Sequence, residues 1–403
     1  MAPQNGEGAS VAEHPATQHA PAGLVGLLAV AAGATVANLY YNQPLLPAMA
    51  ASFGVDAQAV GAIPVLTQLG YGLGMIGVVP LGDRVERRRM IVGMTALAAV
   101  ALLAVAAAPH VAWLSIASLA LGLASMVPQA IIPYAAGIAH PTERGRVVGS
   151  VMSGLLVGIL LSRTVSGLFA ARFGWRAMYV LAAALMIALA LALRALLPPQ
   201  APERKVPFGE LYRSIFALVR TEPVLRRHSI LGALTFAAFS VFWSTLAFHL
   251  AALPQHYGSG VAGAFGVVGV AGALAAPLVG RFADRSDPRI INGAAIAVVA
   301  VSFVVLGLTG SSLAGLGVGV ILLDLGAQAN HISNQARIFG LDAALRNRLN
   351  TVYMSSYFAG GALGSWLGTT AFTRFGWAGV SVSGGLLGLL ALAFFFARVA
   401  RRS

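Results

Sequence analysis

The sequence predicts an all-α membrane protein with twelve transmembrane helices, built as two pseudo-symmetric halves of six helices each. Three observations support this fold class: an apolar composition, a succession of membrane-length apolar segments, and an internal repeat. Of the 403 residues, 58% are hydrophobic and only 10% are charged, and the mean hydropathy is +0.81. Soluble domains carry about 25% charged residues, so this composition indicates a membrane protein.

Apolar segments long enough to cross a bilayer follow one another along the whole chain. A transmembrane helix needs about 20 mostly apolar residues. With that window, the predicted spans are 22–46, 58–80, 90–109, 112–138, 147–170, 175–197, 228–253, 259–280, 290–310, 313–336, 349–371 and 377–398. Because the number of spans is even, both termini are expected on the same side of the membrane.

These spans divide the chain into five parts. They are a polar tail (1–21), a first six-helix half (22–197), a linker (198–227), a second six-helix half (228–398) and a basic tail (399–403). Within the linker, Leu211, Tyr212, Ile215, Phe216 and Val219 recur at helical spacing. Such a stripe is typical of a helix that lies on a membrane surface. It would either tether two moving halves or serve as a plain linker.

The distribution of basic residues predicts the orientation. The net charge is +13, which alone would suggest nucleic-acid binding. However, all 26 basic residues except Arg163, Arg172, Arg176 and Arg374 lie in or beside the loops after even-numbered spans and the C-terminal tail. Cytoplasmic loops carry such an excess. We therefore expect a multi-pass, monomeric protein of the cell (inner) membrane, with both termini in the cytoplasm and no nucleic-acid partner.

Enzyme chemistry is not supported by the sequence. The chain has no cysteine, which excludes disulfide frameworks and cysteine-ligated zinc sites. There is no Walker-A run that would bind ATP. Nucleophile–base pairs and metal-ligand spacings are also missing, and no loop is long enough to hold an active site. We therefore predict a protein that is not an enzyme and that binds no cofactor or metal.

The chain repeats itself at about half its length. Arg172-Phe173-Gly174-Trp175 recurs as Arg374-Phe375-Gly376-Trp377, and Asp83-Arg84 recurs as Asp284-Arg285, at equivalent places in the predicted topology. Two parallel six-helix halves, related by an axis along the membrane normal, can rock about a site at their interface. This is the design of a large class of secondary transporters.

The loop after the second span carries a family signature. It reads Pro80-Leu81-Gly82-Asp83-Arg84-Val85-Glu86-Arg87-Arg88-Arg89, and Gly280-Arg281-Phe282-Ala283-Asp284-Arg285 repeats it after the eighth span. Both resemble the G-x-L-A-D-R-x-G-R-K signature of the major facilitator superfamily. Together with the helix count and the two halves, the resemblance covers essentially the whole chain. It implies transport of a small solute by alternating access.

These loops suggest a gate. A carboxylate at such a place can bond helix N-terminal amides and neighbouring guanidinium groups. By the resemblance, Asp83 with Arg84 and Arg87 would latch the cytoplasmic side, and Asp284 with Arg285 would do the same in the second half. The alternative is that these charges only set the topology.

The first span predicts a branch of the family. Asn38-Leu39-Tyr40-Tyr41-Asn42-Gln43-Pro44 looks like the signature of bacterial carriers near the drug:proton antiporters and sugar-efflux carriers. It implies proton-coupled efflux by antiport. However, Ser162 to Gly167 stand where drug antiporters carry Gly-Pro, which leaves the direction open. The alternatives are proton-coupled uptake, facilitated diffusion, or a non-transporting membrane sensor of the same fold.

Two charged residues fall well inside predicted spans, where a charge costs about 2.5–3.5 kcal/mol on insertion scales. Burial would favour the protonated form of Asp324, which could then load and release a proton; substrate contact and a structural role are the alternatives. Arg163 could pair with Asp324, bind an anionic substrate group, or bond backbone carbonyls. His331 lies on the helical face of Asp324, either as a proton relay or as a satisfied buried histidine.

Polar and aromatic residues complete the predicted site. In the superfamily that the chain resembles, spans 1, 4, 7 and 10 line a central cavity. The predicted substrate-cavity residues, those on span 11 included, are Asn38, Tyr41, Asn42, Gln43, Gln129, Phe239, Trp243, Gln328 and Tyr357. The alternative for the amides is helix–helix hydrogen bonding, and for the aromatic residues it is ordinary packing.

Overall fold

The computed structural model describes residues 21–77, 85–140, 142–200, 208–283, 288–342 and 345–399 of the chain, which are almost entirely helical. The helices are α1 Ala22–Ala37, α2 Leu46–Phe53, α3 Ala57–Gly77, α4 Arg87–Ala106, α5 Val111–Ala124, α6 Pro128–Ile138, α7 Arg144–Phe173, α8 Trp175–Leu196, α9 Phe208–Thr221, α10 Pro223–Trp243, α11 Leu246–Ala252, α12 Ser259–Ala283, α13 Pro288–Leu308, α14 Leu313–Phe339 and α15 Arg346–Val399. Each of the twelve predicted spans is mainly helical.

Nine helical stretches of the described chain are long and apolar enough to cross a membrane. One of them, Arg346–Ala397, contains the last two predicted spans, and spans one and eight fall in the shorter apolar helices Ala22–Ala37 and Ser259–Gly272. Together these account for the twelve predicted spans. The prediction of a twelve-helix, all-α membrane fold is therefore confirmed.

Three of the predicted spans are interrupted. The first breaks between α1 and α2 around a 3₁₀ turn at Gln43–Leu45, and the fourth breaks between α5 and α6. Each break has a proline on its C-terminal side, Pro44 and Pro128, and proline cannot donate the backbone hydrogen bond that would continue the helix. Between α10 and α11, Ser244 and Thr245 bond back to carbonyls one turn earlier, which competes with the regular helical pattern.

The repeated Arg-Phe-Gly-Trp motif forms the same kind of helix junction twice. Gly174 has φ 83° between α7 and α8, and Gly376 has φ 60° inside α15, a backbone region that favours glycine. The chain reverses at Gly376, because Tyr353 packs on Gly232 while the carbonyl of Phe395 accepts a hydrogen bond from Arg227, near the start of α10. We call the end with these junctions the Gly174 end, and the other the arginine-rich end.

Small residues set the closest helix crossings. A Cβ atom on Gly158 of α7 would overlap the backbone of Gly33 on α1, and one on Gly33 would overlap the carbonyl of Gly154. In membranes, helices approach closely where residues are small, because van der Waals packing drives their association. Gly154 and Gly158 therefore let α7 pack closely against α1. The same kind of contact joins Gly167 of α7 to Gly263 of α12.

Helix α9 lies across the arginine-rich end. The Tyr212 hydroxyl donates to the carbonyl of Ile76 on α3, at 3.2 Å. On the other side, Arg348 of α15 donates to the Ser214 hydroxyl at 2.6 Å. Phe216 is 67% exposed, as expected of a helix with one face turned to lipid or water. The predicted amphipathic helix therefore exists, and it contacts two helices that belong to different predicted halves.

Candidate functional site

Arg163 of α7 is buried in the middle of the bundle. Its Nε–H donates to Gln43 Oε1 at 2.5 Å. Its guanidinium carbon lies 4.1 Å from the ring centroid of Trp243, 4.8 Å from that of Tyr40 and 5.6 Å from that of Phe239. Arginine stays charged in proteins, and aromatic faces attract a cation. The buried charge is thus held by one amide and three aromatic rings.

Asp324 of α14 is equally buried, at 2% exposure. A Cβ atom on Gly269 of α12 would lie 3.0 Å from Asp324 Oδ2 and 3.4 Å from Cζ2 of Trp243. The carboxylate and the edge of the indole therefore lie side by side against the backbone of α12. Only glycine leaves this room, because any side chain at position 269 would press on both groups.

The two buried charges lie at matching depth. Arg163 is ten residues before the last residue of α7, Phe173, and Asp324 is eleven residues after the first residue of α14, Leu313. With a rise of 1.5 Å per residue, each is roughly 15 Å from the Gly174 end, which is half the thickness of a bilayer core. The two charges interact electrostatically, but among the described residues they form no direct ion pair, because Trp243 lies beside both.

Three polar atoms of this group have no hydrogen-bond partner among the residues that the structure describes. They are Arg163 Nη2, Trp243 Nε1 and Asp324 Oδ2; the indole N–H and the carboxylate interact, but not in the geometry of an ordinary hydrogen bond. An unsatisfied polar group in the membrane core costs several kcal/mol. Such atoms are therefore places where a proton, a water molecule or a solute would be stabilised. We name Tyr40, Gln43, Arg163, Phe239, Trp243, Asp324 and Tyr357 the central cluster.

Aromatic rings form one wall of the central cluster. Tyr357 of α15 stacks on Phe236 of α10, with ring centroids 3.9 Å apart and an angle of 14° between the ring planes. The His331 ring lies 4.7 Å from that of Tyr357, and its Nδ1 atom is 2.9 Å from the hydroxyl of Tyr353. His331 is thus bonded to Tyr353 rather than to Asp324, and its role as a proton relay remains a prediction.

Below this wall, towards the arginine-rich end, three amides form a closed ring. Asn292 donates to Asn334 at 3.0 Å, Asn334 donates to Asn330 at 2.9 Å, and Asn330 donates to Asn292 at 2.5 Å. The Nδ1 atom of His228 lies 2.7 Å from the side-chain oxygen of Asn334. Fully paired polar networks make a packed core rigid. This one ties α13 and α14 to the start of α10.

Of the four residues predicted on the first span, only Gln43 belongs to the central cluster. Asn38 donates to the sulfur of Met186 on α8, at 3.6 Å. Tyr41 is buried in the apolar core formed mainly by α1 to α8. Asn42 lies 3.5 Å from the Thr67 hydroxyl of α3. The structure therefore does not bring Asn38, Tyr41 and Asn42 to the buried charges.

The other predicted residues occupy two further places. Gln129 donates to the hydroxyl of Tyr71 at 3.1 Å and accepts from Asn350 of α15 at 3.1 Å, so that it joins the two predicted halves. Gln328 is half-buried, one helical turn beyond Asp324. For Gln129, the alternative of helix–helix hydrogen bonding describes what the structure shows.

The predicted gate is only partly within the described residues. Asp83, Arg84, Asp284 and Arg285 lie outside them. Arg87, at the start of α4, is buried, and its guanidinium donates to the carbonyl of Pro133 on α6 at 3.3 Å. Its part in gating remains a prediction.

Sequence reasoning missed Tyr40 and Gly269. If the helix ran unbroken over 22–46, helical periodicity would decide which residues face the same side. Instead, α1 ends at Ala37 and a turn follows. Because of that turn, Tyr40 faces Arg163 and Tyr41 does not. Pro44 was the available signal for this break. Gly269 lies in the run Gly266, Gly269 and Gly272, whose spacing indicates close helix packing. The run does not show that Asp324 is the neighbour, because that depends on how α12 crosses α14.

Comparisons with known proteins agree on one family. The family model described as Major Facilitator Superfamily matches residues 28–341. The uncharacterized transporter YgaY of Escherichia coli K12 is 42% identical over 369 residues, which cover 92% of this chain and 94% of YgaY. A probable transporter of Streptomyces coelicolor is 35% identical over 361 residues, which cover 89% of this chain and 84% of its own.

Solved structures show the same fold at low sequence identity. The bacterial homologue of the human lysosomal transporter Spinster, in its inward-facing conformation, has a TM-score of 0.75 at 16% identity, and covers 93% of this chain and 96% of its own. The nucleoside transporter NupG has a TM-score of 0.73 at 16% identity, and covers 94% of this chain and 98% of its own.

Proposed function

The chain belongs to the major facilitator superfamily, and on that premise we propose that it is a proton-coupled secondary transporter with Asp324 as the proton-binding group. The family makes it a multi-pass membrane transporter and not an enzyme. The proposal adds the coupling ion, the residue that binds it, and a location in the cell membrane with both termini in the cytoplasm.

The single observation behind the proposal is a carboxylate in the bundle centre that has one oxygen without a hydrogen-bond partner and forms no direct ion pair. Asp324 Oδ2 has no hydrogen-bond partner in the described part of the chain, and the nearest opposite charge, Arg163, is not in direct contact. Ionisable residues at this depth are expensive and usually functional. If the site opens to one side of the membrane at a time, a proton bound on one side is released on the other.

The direction of transport has two candidates. The resemblance of the first span to efflux carriers favours export of a solute in exchange for protons, with an aromatic-walled site between Trp243 and Tyr357. Uptake with protons is the second candidate, and facilitated diffusion is its uncoupled form. One observation favours uptake: the fixed positive charge of Arg163 beside Asp324 suits a solute that binds together with a proton.

Inverted membrane vesicles with an acidic interior and a fluorescent pH probe test this proposal. Candidate solutes would be amphipathic cations, sugars, amino acids and aromatic carboxylates, each added outside or preloaded inside. A solute added outside that releases protons indicates exchange, and a preloaded solute that does so indicates cotransport. We expect Asp324→Asn to abolish either response.

The exposed Asp56→Asn is the matched control, because the Asp56 side chain only caps the start of α3 and asparagine can replace it there. If Asp324→Asn releases protons as the wild type does, Asp324 is not the coupling group. If solute crosses without moving protons, the carrier is a facilitator.

A further inference from the structure

We infer that the central cluster binds the carboxylate of an organic anion with a flat apolar body, and that this anion binds together with a proton. Arg163 would hold the carboxylate and Asp324 the proton. The inference rests on the proposed function, which it deepens by naming the substrate class. It favours the second candidate, in which proton and solute travel together.

The guanidinium group of Arg163 is held in a fixed orientation and keeps one hydrogen-bond donor without a partner among the described residues. Gln43 accepts the Nε–H, and three rings surround the planar group, so that its orientation is fixed. Nη2 is left without a partner in the described structure. An oriented guanidinium group matches a carboxylate in charge and in planar geometry. Such a pre-oriented donor loses little rotamer entropy when the anion binds.

The surroundings of Arg163 favour an apolar body for this anion. Beside the guanidinium group stand Phe239 and Trp243, and the stacked pair of Phe236 and Tyr357 extends the same wall. Sites for small molecules are mostly apolar, with a few polar groups that fix orientation. A cationic solute fits less well, because Arg163 already occupies the aromatic faces and would repel a second positive charge.

Charge balance links the anion to the proton. With Asp324 ionised, the charges of Arg163 and Asp324 sum to zero, and an added carboxylate would leave a net negative charge in the membrane core. A proton on Asp324 restores neutrality. The other titratable groups around it are Tyr40 and Tyr357, with His331 against Tyr357. Tyrosines stay neutral near pH 7, and His331 is bonded to Tyr353, about two helical turns from Asp324 along α14. We therefore assign the proton to Asp324.

Three probes with the same ring and different head groups test the inference: benzoate, benzamide and benzylamine. Their binding to the purified full-length protein in detergent would be measured by calorimetry. We expect benzoate to bind at least about tenfold more tightly than benzamide, the size of one charge-assisted hydrogen bond. Benzylamine would bind most weakly, and benzoate would bind more tightly at mildly acidic than at mildly alkaline pH.

Substitutions identify the residues. Arg163→Gln is expected to remove the preference for benzoate over benzamide. Arg176→Gln is the matched control, because Arg176 also stacks on aromatic rings, at 4.3 Å from Trp175, but lies outside the central cluster. Asp324→Asn is expected to keep benzoate binding and to remove its pH dependence. If Arg163→Gln does not fold, Arg163→Lys replaces it, with weaker but still anion-selective binding expected.

Equal binding of the three probes, no binding of any of them, or tightest binding of benzylamine would overturn the inference. An anion preference that survives in Arg163→Gln would do so too. These outcomes leave the proposed function intact if the vesicle assay finds a proton-coupled solute. Conversely, selective benzoate binding without any proton-coupled transport would contradict the proposed function and would still support the anion site.

Discussion

Trp243 lies beside both buried charged groups, Arg163 and Asp324. One face of its ring is covered by Arg163, and its edge lies beside the Asp324 carboxylate over Gly269. A direct ion pair in the membrane core would neutralise both groups permanently and would bind a proton or an anion poorly. By standing beside both, the indole leaves each charge with one unsatisfied atom. On the proposed function, this arrangement keeps the pair available to a proton and a solute.

Gly269→Ala should disturb this arrangement without unfolding the protein. The new methyl group would lie 3.0 Å from Asp324 Oδ2, so that the carboxylate must shift by a few tenths of an ångström. We expect proton-coupled transport in vesicles to fall several-fold. The unfolding midpoint should change little, because alanine is the better helix former by about 1 kcal/mol and this gain offsets the crowding.

Gly260→Ala is the control for that prediction. It lies on the same helix, and its new methyl group would meet Ala171 Cβ at an ordinary 3.6 Å. This variant should transport like the wild type. A Gly269→Ala protein with unchanged transport and unchanged pH dependence would show that the carboxylate has more room than the structure gives it.

The sequence was sufficient to find the two charged residues but not their neighbours. Arg163 and Asp324 stand out because a charge inside an apolar span is costly wherever the helix lies. Tyr40 and Gly269 could not be found in this way, because their contacts depend on a break in the first span and on how two helices cross. Periodicity describes one helix at a time and carries no information about such crossings.

At the scale of helices, the crossing of α1 and α7 depends on Gly158. Its substitution by valine would push a branched side chain into the backbone of Gly33, where no flexible group can yield. Overpacking typically costs 1–3 kcal/mol. We expect Gly158→Val to lower the unfolding midpoint of the detergent-purified protein by several degrees, or to reduce the yield of folded protein.

Gly149→Val on the same helix provides the comparison. Nothing lies within 4 Å of a Cβ atom at Gly149, so only the small difference in helix propensity should appear. Equal midpoints for the two variants would mean that α1 and α7 do not cross where the structure places them.

Hydropathy predicted the helices themselves well, and it predicted the surface helix α9 from its amphipathic stripe. It did not predict the breaks between α5 and α6 or between α10 and α11. An apolar segment keeps its hydropathy when its hydrogen bonding is interrupted. The causes lie in single residues, Pro128 in one case and the backbone-bonding Ser244 and Thr245 in the other.

At the scale of the molecule, α7 and α12 close the Gly174 end. Alternating access requires this contact to open while the contacts at the arginine-rich end, such as the hydrogen bond of Gln129 with Asn350, stay closed. A covalent link between α7 and α12 should therefore arrest the transport cycle. The chain has no cysteine of its own, so an introduced pair can react only with itself.

The double variant Ala171→Cys, Gly260→Cys provides such a link. Cβ atoms at these positions would be 3.6 Å apart, within the range of disulfides. We expect the oxidised protein to lose solute flux in vesicles and to regain it with a reductant, whereas the two single variants stay active under both conditions. Full flux with a quantitatively formed disulfide would rule out opening at this contact.

The one-residue junctions at Gly174 and Gly376 have a practical consequence. The other connections at that end are also short, the longest being residues 253–258 between α11 and α12. An antibody or a protease that approaches from that side would therefore find few loop residues to bind or cleave. Epitope tags, cleavage sites and binders for imaging are therefore better directed to the arginine-rich end, where one face of α9, with Phe216, is exposed.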